Sequence, residues 1–294
     1  MTSTLAEETT WPRDRLDRDY SARATVTPER FEAEMVRYRA LSDAVRGPWA
    51  THLEVVYDEE SGQTLDIFGT GAEPRAVFVF IHGGYWRMLS KRDSAFMAGV
   101  LARHDIATVA VDYRLAPEVS LAEIVREVRA SIAFLWKNGR RYGIDPDRIH
   151  VGGSSAGGHL TGAVISGGWH EAFGVPEDVV KSALPISGLF HLGPISQSFV
   201  RDWVSLDEQA IRTLSPFENL PASGCPIVVA YADSEAEGFK RQSREYDRLW
   251  RQAGFPSTLM EIHDRNHFDV ILDLADEDTA LTRALLRLVG GKAA

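Results

Sequence analysis

The stretch Gly153–Gly157, which reads G-S-S-A-G, carries the residue types and spacing of a serine nucleophile. It follows the run Arg148–Val151 and precedes a helical pattern. A G-x-S-x-G sequence between a strand and a helix is typical of a tight turn that exposes its central serine, and the glycines allow close backbone packing. We therefore predict Ser155 as the nucleophile, because Ser154 does not occupy the central position.

A second segment, His82–Trp86, directly follows the apolar run Ala76–Ile81 and contains a pair of glycines. Loop glycines at a strand end expose backbone N–H groups, and acyl transfer needs such donors for the charge that develops on the carbonyl oxygen. We predict that the N–H groups of Gly84 and Tyr85, together with that of Ala156, form an oxyanion hole. The alternative is an ordinary Gly-Gly turn.

An acid and a base follow two further apolar runs. Asp233 comes directly after Pro226–Ala232, and His267 comes shortly after Ser257–Ile262. The carboxyl end of a parallel strand lies on the ligand-binding edge of its sheet. The chain order of serine, acid and histidine also matches that of the hydrolases whose serine lies on a G-x-S-x-G turn between a strand and a helix. We predict Asp233 and His267 as the partners of the serine.

Each of these two assignments has competitors. His263 ends its strand pattern, whereas His267 opens the loop before an apolar helix, which favours His267. Glu235 and Asp264 also stand close in sequence, but Asp233 comes first after its strand, which favours Asp233. In the predicted reaction the histidine accepts the serine proton, and the acid orients the imidazole and stabilises its charged form.

Several segments of the chain resemble the α/β-hydrolase family that contains the eukaryotic-type kynurenine formamidases. They are His82–Trp86, Asp112–Pro117, Gly153–Gly158, Pro185–Phe190, Asp233-Ser234 with Arg241–Ser243, and Asn266–Asp269. The resemblance implies a serine hydrolase of aryl formamides, or of related small esters and amides, with the triad Ser155, Asp233 and His267. The segment Ala230–Ala232 and the acidic loop after it depart from the family pattern and bear on the substrate rather than on the triad.

Alternating strand and helix patterns predict an α/β fold with a mostly parallel sheet flanked by helices. A hairpin of strands at His52–Tyr57 and Thr64–Phe68 precedes this alternation. We expect one α/β-hydrolase domain over residues 1–294, with an N-terminal helical cover at 1–50 and a small helical cap inserted at about 191–221. Thr27 and Pro28 mark the start of the predicted cover helix.

Aromatic residues near the strand ends suggest a substrate pocket. We predict that Tyr85, Trp86 and Phe190 line it, which would favour a flat aromatic or short acyl substrate. For the cap aromatics Phe199, Trp203 and Phe217, packing is favoured over recognition. For Tyr20 and Trp11 of the cover, a pocket role and a surface role remain equally open.

Composition excludes several other classes of function. The chain has 294 residues, 44% of them hydrophobic, and a formal net charge of −10, which argues against a nucleic-acid partner. We expect no cofactor and no metal, because no metal-ligand spacing or nucleotide loop occurs. Cys225, the single cysteine, cannot form an internal disulfide.

The N-terminus lacks the pattern of a signal peptide, and no apolar run is long enough to cross a membrane, so we expect a cytoplasmic protein that acts on a small molecule. A homodimer stays an open alternative.

Two other functions remain to be weighed against an aryl formamide hydrolase. A short-chain carboxylesterase would use the same residues, and a ligand-binding receptor on this fold would be expected to have lost its triad.

Overall fold

One mixed sheet organises the protein, whose computed structural model describes residues 4–290. Residues 1–3 of the predicted cover and 291–294 of the predicted domain lie outside the described residues. The strands are β1 (Ala50–Asp58), β2 (Gln63–Phe68), β3 (Arg75–Ile81), β4 (Ile106–Val111), β5 (Ile144–Ser154), β6 (Val180–Ile186), β7 (Ile227–Ser234) and β8 (Ser257–Asn266).

The strand order is β1-β2-β4-β3-β5-β6-β7-β8. β1 and β2 form the predicted antiparallel hairpin, and β2 also runs antiparallel to β4. All the pairings from β4 across to β8 are parallel. The predicted fold class is therefore confirmed, and the carboxyl ends of β3, β5, β7 and β8 meet at one edge of the sheet.

Helices cover both faces of this sheet. Within the described residues they are α1 (Thr4–Glu8), α2 (Arg13–Asp19), α3 (Pro28–Trp49), α4 (Ala98–Arg103), α5 (Leu121–Asn138), α6 (Ala156–Ile165), α7 (His170–Phe173), α8 (Gly193–Gln197), α9 (Glu208–Leu214), α10 (Glu237–Gln252) and α11 (Ala280–Gly290). Among them, no helix is long and apolar enough to cross a membrane.

The side chains of β3 show how the sheet is buried on both faces. Val77, Val79 and Ile81 belong to the core cluster on one face, whereas Phe78 and Phe80 belong to the cluster on the other. Successive strand residues point to opposite faces, so an unbroken apolar run is what a central parallel strand requires.

The N-terminal segment folds as the sequence predicts around Thr27. The Thr27 side chain accepts a hydrogen bond from the Arg30 N–H, and Pro28 occupies the first turn of α3, where a missing N–H has no cost. Upstream, the buried Glu8 binds the Tyr20 hydroxyl at 2.8 Å and the Arg241 guanidinium at 2.6 Å. These contacts attach the segment before α3 to α10.

Candidate active site

The turn after β5 holds Ser155 in a strained backbone conformation. Its φ of 59° and ψ of −119° lie outside the usual regions for a residue with a side chain. A Cβ on Gly157 would stand 2.0 Å from the Ile81 carbonyl oxygen, and one on Gly153 would stand 2.5 Å from the Gly157 carbonyl oxygen. Only glycine fits at both positions, so the sequence pattern reflects contact with β3.

Ser155 opens into a cavity of about 390 Å³, here called the Ser155 pocket. His267 lines the same pocket, so the structure brings the predicted nucleophile and base together. The remaining walls come from the segment after β3, the residues before and within α3, the residues after α8 and the loop after β8. They include Ser21, Phe31, Met35, Tyr38, Gly83, Gly84, Tyr85, Met88, Phe199, Trp203 and Phe268.

Glu235, not the predicted Asp233, lies against His267. The Nδ1 atom of His267 is 2.6 Å from Oε2 of Glu235, and both side chains are buried. The second carboxylate oxygen of Glu235 accepts a hydrogen bond of 3.1 Å from the Ser187 hydroxyl. A neutral imidazole that donates from Nδ1 presents Nε2 as a proton acceptor, which is the state a general base needs.

Asp233 instead stabilises the end of β8. Its carboxylate accepts the backbone N–H groups of Asp264 at 3.0 Å and Arg265 at 3.3 Å, and it lies 3.4 Å from Nδ1 of His263. The hydrogen bond from Asp264 holds the pKa of this carboxyl below its usual range. Asp264 has a positive φ of 57°, so these bonds fix an unusual turn. The structure therefore corrects the predicted acid.

The correction has a simple cause in the length of β7. The sequence pattern ends this strand at Ala232, but the strand continues to Ser234. The first acid beyond the strand is then Glu235. The rule that an acid at the strand end faces the site was sound, and only the strand end was misplaced. Ser187, directly after β6, was also missed, although a polar residue at the end of a parallel strand is the same signal.

The loop that carries His267 is shaped by its neighbours in sequence. The Asn266 side-chain oxygen accepts the Phe268 N–H at 2.8 Å, and Asp269 accepts the Asn266 N–H at 2.7 Å. Such local bonds are typical of Asx turns. The Phe239 ring packs 4.3 Å from the imidazole. The backbone turn and this ring contact together limit the movement of His267.

The loop after β3, which forms part of the pocket wall, is held in place by contacts with Tyr113. The buried His82 ring stacks on Tyr113 at 4.1 Å, and the Tyr113 hydroxyl donates to the His82 carbonyl at 2.9 Å. Burial lowers the pKa of His82. Gly84 has a φ of 92°, and a Cβ there would stand 2.3 Å from the Met88 carbonyl oxygen. The loop conformation therefore depends on glycine at this position.

Two of the three N–H groups predicted as oxyanion donors belong to residues that line the Ser155 pocket, and the third belongs to the residue that follows Ser155. Gly84 and Tyr85 line the Ser155 pocket, and within the described chain their N–H groups have no hydrogen-bond acceptor. Ala156 is the first residue of α6, so its N–H has no partner inside the helix. A helix N-terminus also carries partial positive charge, which suits a developing oxyanion.

The predicted pocket aromatics divide into two groups. Tyr85 lines the Ser155 pocket, and its hydroxyl donates to the Tyr20 carbonyl. Trp86 and Phe190 are fully buried and do not line it, which corrects those two predictions. Phe190 instead stacks on Tyr246 at 4.0 Å.

The residues after α8 and helix α3 provide the remaining aromatic walls, the helix through Phe31. Phe199 and Trp203, which follow α8, line the pocket, contrary to the prediction that they serve packing, whereas Phe217 packs against His191. Tyr20 is buried, and Trp11 lies under the Arg15 guanidinium rather than in the pocket.

Comparisons with known proteins agree with this architecture. A family profile described as BD-FAE matches residues 65–172. A kynurenine formamidase from Salmo salar is 32% identical over 257 residues, which cover 85% of each chain. A second, from Danio rerio, is 28% identical over 88% of this chain and 89% of that protein.

Solved structures share the fold. A protein proposed to be a thioesterase, from Silicibacter sp. tm1040, superposes with a TM-score of 0.79 and 25% identity, covering 94% of this chain and 98% of the other. The esterase of Pyrobaculum calidifontis gives a TM-score of 0.72 at 16% identity, covering 96% and 98%. The resemblance seen in the sequence motifs is confirmed by the curated relatives. The chain belongs to the kynurenine formamidase family of α/β-hydrolase enzymes.

Proposed function

We propose that the protein hydrolyses a small aryl formamide, similar to N-formylkynurenine, through an acyl-enzyme on Ser155. The observation that carries this proposal is the buried contact between Glu235 and His267. His267 lines the same partly aromatic pocket as Ser155. The names of the Salmo salar and Danio rerio relatives support the formamide as substrate.

In the first half of the reaction, the Ser155 hydroxyl oxygen attacks the formyl carbon while Nε2 of His267 accepts the hydroxyl proton. Glu235 holds the imidazole through Nδ1 and stabilises the imidazolium as it forms. The N–H groups of Gly84, Tyr85 and Ala156 stabilise the negative charge on the carbonyl oxygen. When the C–N bond breaks, His267 gives its proton to the departing aryl amine.

In the second half, a water molecule attacks the formyl ester. His267 removes a proton from the water and returns it to the serine oxygen, which releases formate. Ser187 acts on this step and the first through Glu235. It is a positioning residue, because its hydroxyl contacts the carboxylate and not the substrate.

We also propose that the segments at 1–50 and about 191–221 serve as cover and cap of this pocket. Ser21 and Phe31 from the first segment, and Phe199 and Trp203 from the second, form part of its wall. A cytoplasmic location and a homodimer stay predictions from the sequence.

The test compares kcat/KM on N-formylkynurenine and on p-nitrophenyl acetate, with Ser155→Ala as the blank. A formamide value well above the ester value supports the proposal. If only the ester is hydrolysed, the carboxylesterase alternative replaces it. Activity that survives in Ser155→Ala would refute the assignment of the nucleophile. If the protein binds an aryl ligand but hydrolyses neither substrate and resists covalent labelling by a phosphonate, it is a receptor.

A further inference from the structure

The charge on the wall of the Ser155 pocket is opposite to that of the whole chain. The formal net charge is −10. Yet the formally charged side chains that line the pocket within the described residues are Arg23 and Arg87, and no aspartate or glutamate lines it there. Two arginines on the pocket wall of a strongly acidic protein favour a ligand that carries negative charge.

Arg87 is held in place without being neutralised. Its guanidinium lies 4.1 Å from the centroid of the Trp203 ring. The Trp203 indole N–H donates to the Tyr85 carbonyl at 3.0 Å, which fixes the ring that the guanidinium covers. A guanidinium stacked on an aromatic face keeps its N–H donors free along its own edge.

Arg87 also has no carboxylate partner in the part of the chain that the structure describes. Many other arginines of this protein do have one. Arg126, for example, contacts both Asp58 and Glu123. An exposed arginine with free donors at the mouth of a pocket is a site for a planar anion, because its fork matches the two oxygens of a carboxylate.

Arg23 is a weaker site for the same anion. Its guanidinium lies 4.6 Å from the centroid of the Phe31 ring and already donates to the Val26 carbonyl at 3.3 Å. The pKa of the exposed Glu29 is lowered mainly by hydrogen bonds from the Glu29 backbone and the Thr27 side chain, and the charge of Arg23 makes only a smaller contribution. The free donors therefore belong to Arg87.

We propose that Arg87 binds a carboxylate carried by the substrate, so that the Ser155 pocket selects aryl formamides that bear an anionic group remote from the scissile bond. This inference rests on the proposed function. The aromatic walls at Tyr85, Phe199 and Trp203 take the ring, and Arg87 at the mouth takes the carboxylate. Arg87 is thus a specificity-determining residue.

Binding of two unreactive ligands isolates the role of the carboxylate. Kynurenine, the product of the proposed reaction, carries a carboxylate and an ammonium, and its decarboxylated analogue keeps the ring and the ammonium alone. The long-range field of an acidic protein favours the cationic analogue. A preference for kynurenine would therefore come from a local contact and not from net charge.

The experiment measures Kd for both ligands by calorimetry, at fixed ionic strength, with the wild type, Arg87→Gln and Arg87→Lys. We expect kynurenine to bind the wild type about tenfold tighter than its analogue, the ratio to fall to about twofold or less in Arg87→Gln, and Arg87→Lys to be intermediate. Arg92→Gln is the matched control. It removes the same charge from an exposed residue of the same segment that does not line the pocket, and its ratio should equal that of the wild type.

Two results would overturn the inference: a wild-type ratio near one, and a ratio that Arg87→Gln leaves unchanged. Circular dichroism of each variant confirms that it is folded before its ratio is compared. Since binding requires no turnover, failure of this proposal is distinct from failure of the proposed function. Kynurenine selection without formamide hydrolysis would retain the carboxylate site and remove the formamidase.

Discussion

Replacing Glu235 with glutamine should abolish most of the activity, whereas the matched change of Asp233 to asparagine should not. Glu235 Oε2 is 2.6 Å from Nδ1 of His267 in a buried environment. The amide of glutamine can donate its own N–H to Nδ1. The histidine would then carry its proton on Nε2 and could not accept the proton of Ser155.

The corresponding change in the serine protease triad lowers kcat by about 10⁴, which equals about 5 kcal/mol of transition-state stabilisation. We expect a loss of about 10³- to 10⁴-fold for Glu235→Gln, because the pair here has the same contact and burial. Asp233 is partly exposed and contacts the backbone of Asp264 and Arg265 and the side chain of His263, not the imidazole of His267. We expect less than about a threefold change in kcat for Asp233→Asn, as for other exposed ion contacts.

The assay measures kcat on p-nitrophenyl acetate and on N-formylkynurenine, with active-site concentration determined by phosphonate titration. Thermal unfolding of both variants separates loss of chemistry from loss of fold. Glu235→Asp is a useful third variant, since it keeps the charge but shortens the side chain by one methylene, and it should fall between the other two. A collapse of activity in folded Asp233→Asn, with Glu235→Gln near wild type, would refute the reasoning and restore the acid predicted from sequence.

Three further outcomes follow from the structure. Ser187→Ala should lower kcat about tenfold with KM unchanged, because it removes the hydroxyl that holds Glu235. Ser187→Gly should lower kcat by the same factor, although glycine relieves the strain of the positive φ of 46°. Recovery of kcat in the glycine variant would assign the effect to the backbone. Gly84→Ala keeps the backbone N–H, but its Cβ would stand 2.3 Å from the Met88 carbonyl oxygen, so it should displace this donor and lower kcat by about 10²-fold or more, on the order of the loss of one oxyanion donor. Circular dichroism checks that the fold survives, and activity near wild type would contradict the requirement for glycine in this loop. Burial lowers the pKa of His150 to about 4, so the unfolded chain takes up a proton at this residue before the folded chain does, and stability is lost as pH falls from about 6.5 to 4. His150→Gln should therefore reduce the difference in unfolding free energy between pH 7 and pH 5, measured by urea unfolding, by about 2 kcal/mol. An unchanged difference would contradict this.

Local patterns predicted most of the sheet and the parts of the site that sit next to a strand or helix. The apolar runs of β3, β4 and β7 identified buried parallel strands, because such strands are apolar on both faces. The turn at Ser155 could be predicted because Gly153 and Gly157 are required by contacts within a few residues of Ser155 and with the neighbouring β3. His267 was readable because its loop follows its strand directly.

Features that depend on contacts between distant segments were not readable. The walls of the pocket combine residues from the N-terminal segment, from the residues after α8 and from two loops, so the sequence could not decide that Phe199 and Trp203 line it while Trp86 and Phe190 are buried elsewhere. Packing of an aromatic ring and binding by one produce the same pattern in sequence, since both follow from apolar area.

The sequence by itself therefore determined the class of chemistry, the tight turn at Ser155 and which strands carry polar residues at their carboxyl ends. Only the tertiary structure decided that Glu235 rather than Asp233 reaches His267, because this depends on how far β7 pairs with β8, two residues beyond the end of the apolar run. The same holds for the free guanidinium of Arg87, whose position is set by Trp203, 116 positions away in the chain. Strand periodicity is a local property of the chain, whereas the partner of a charged side chain is settled by the packing of elements far apart in sequence.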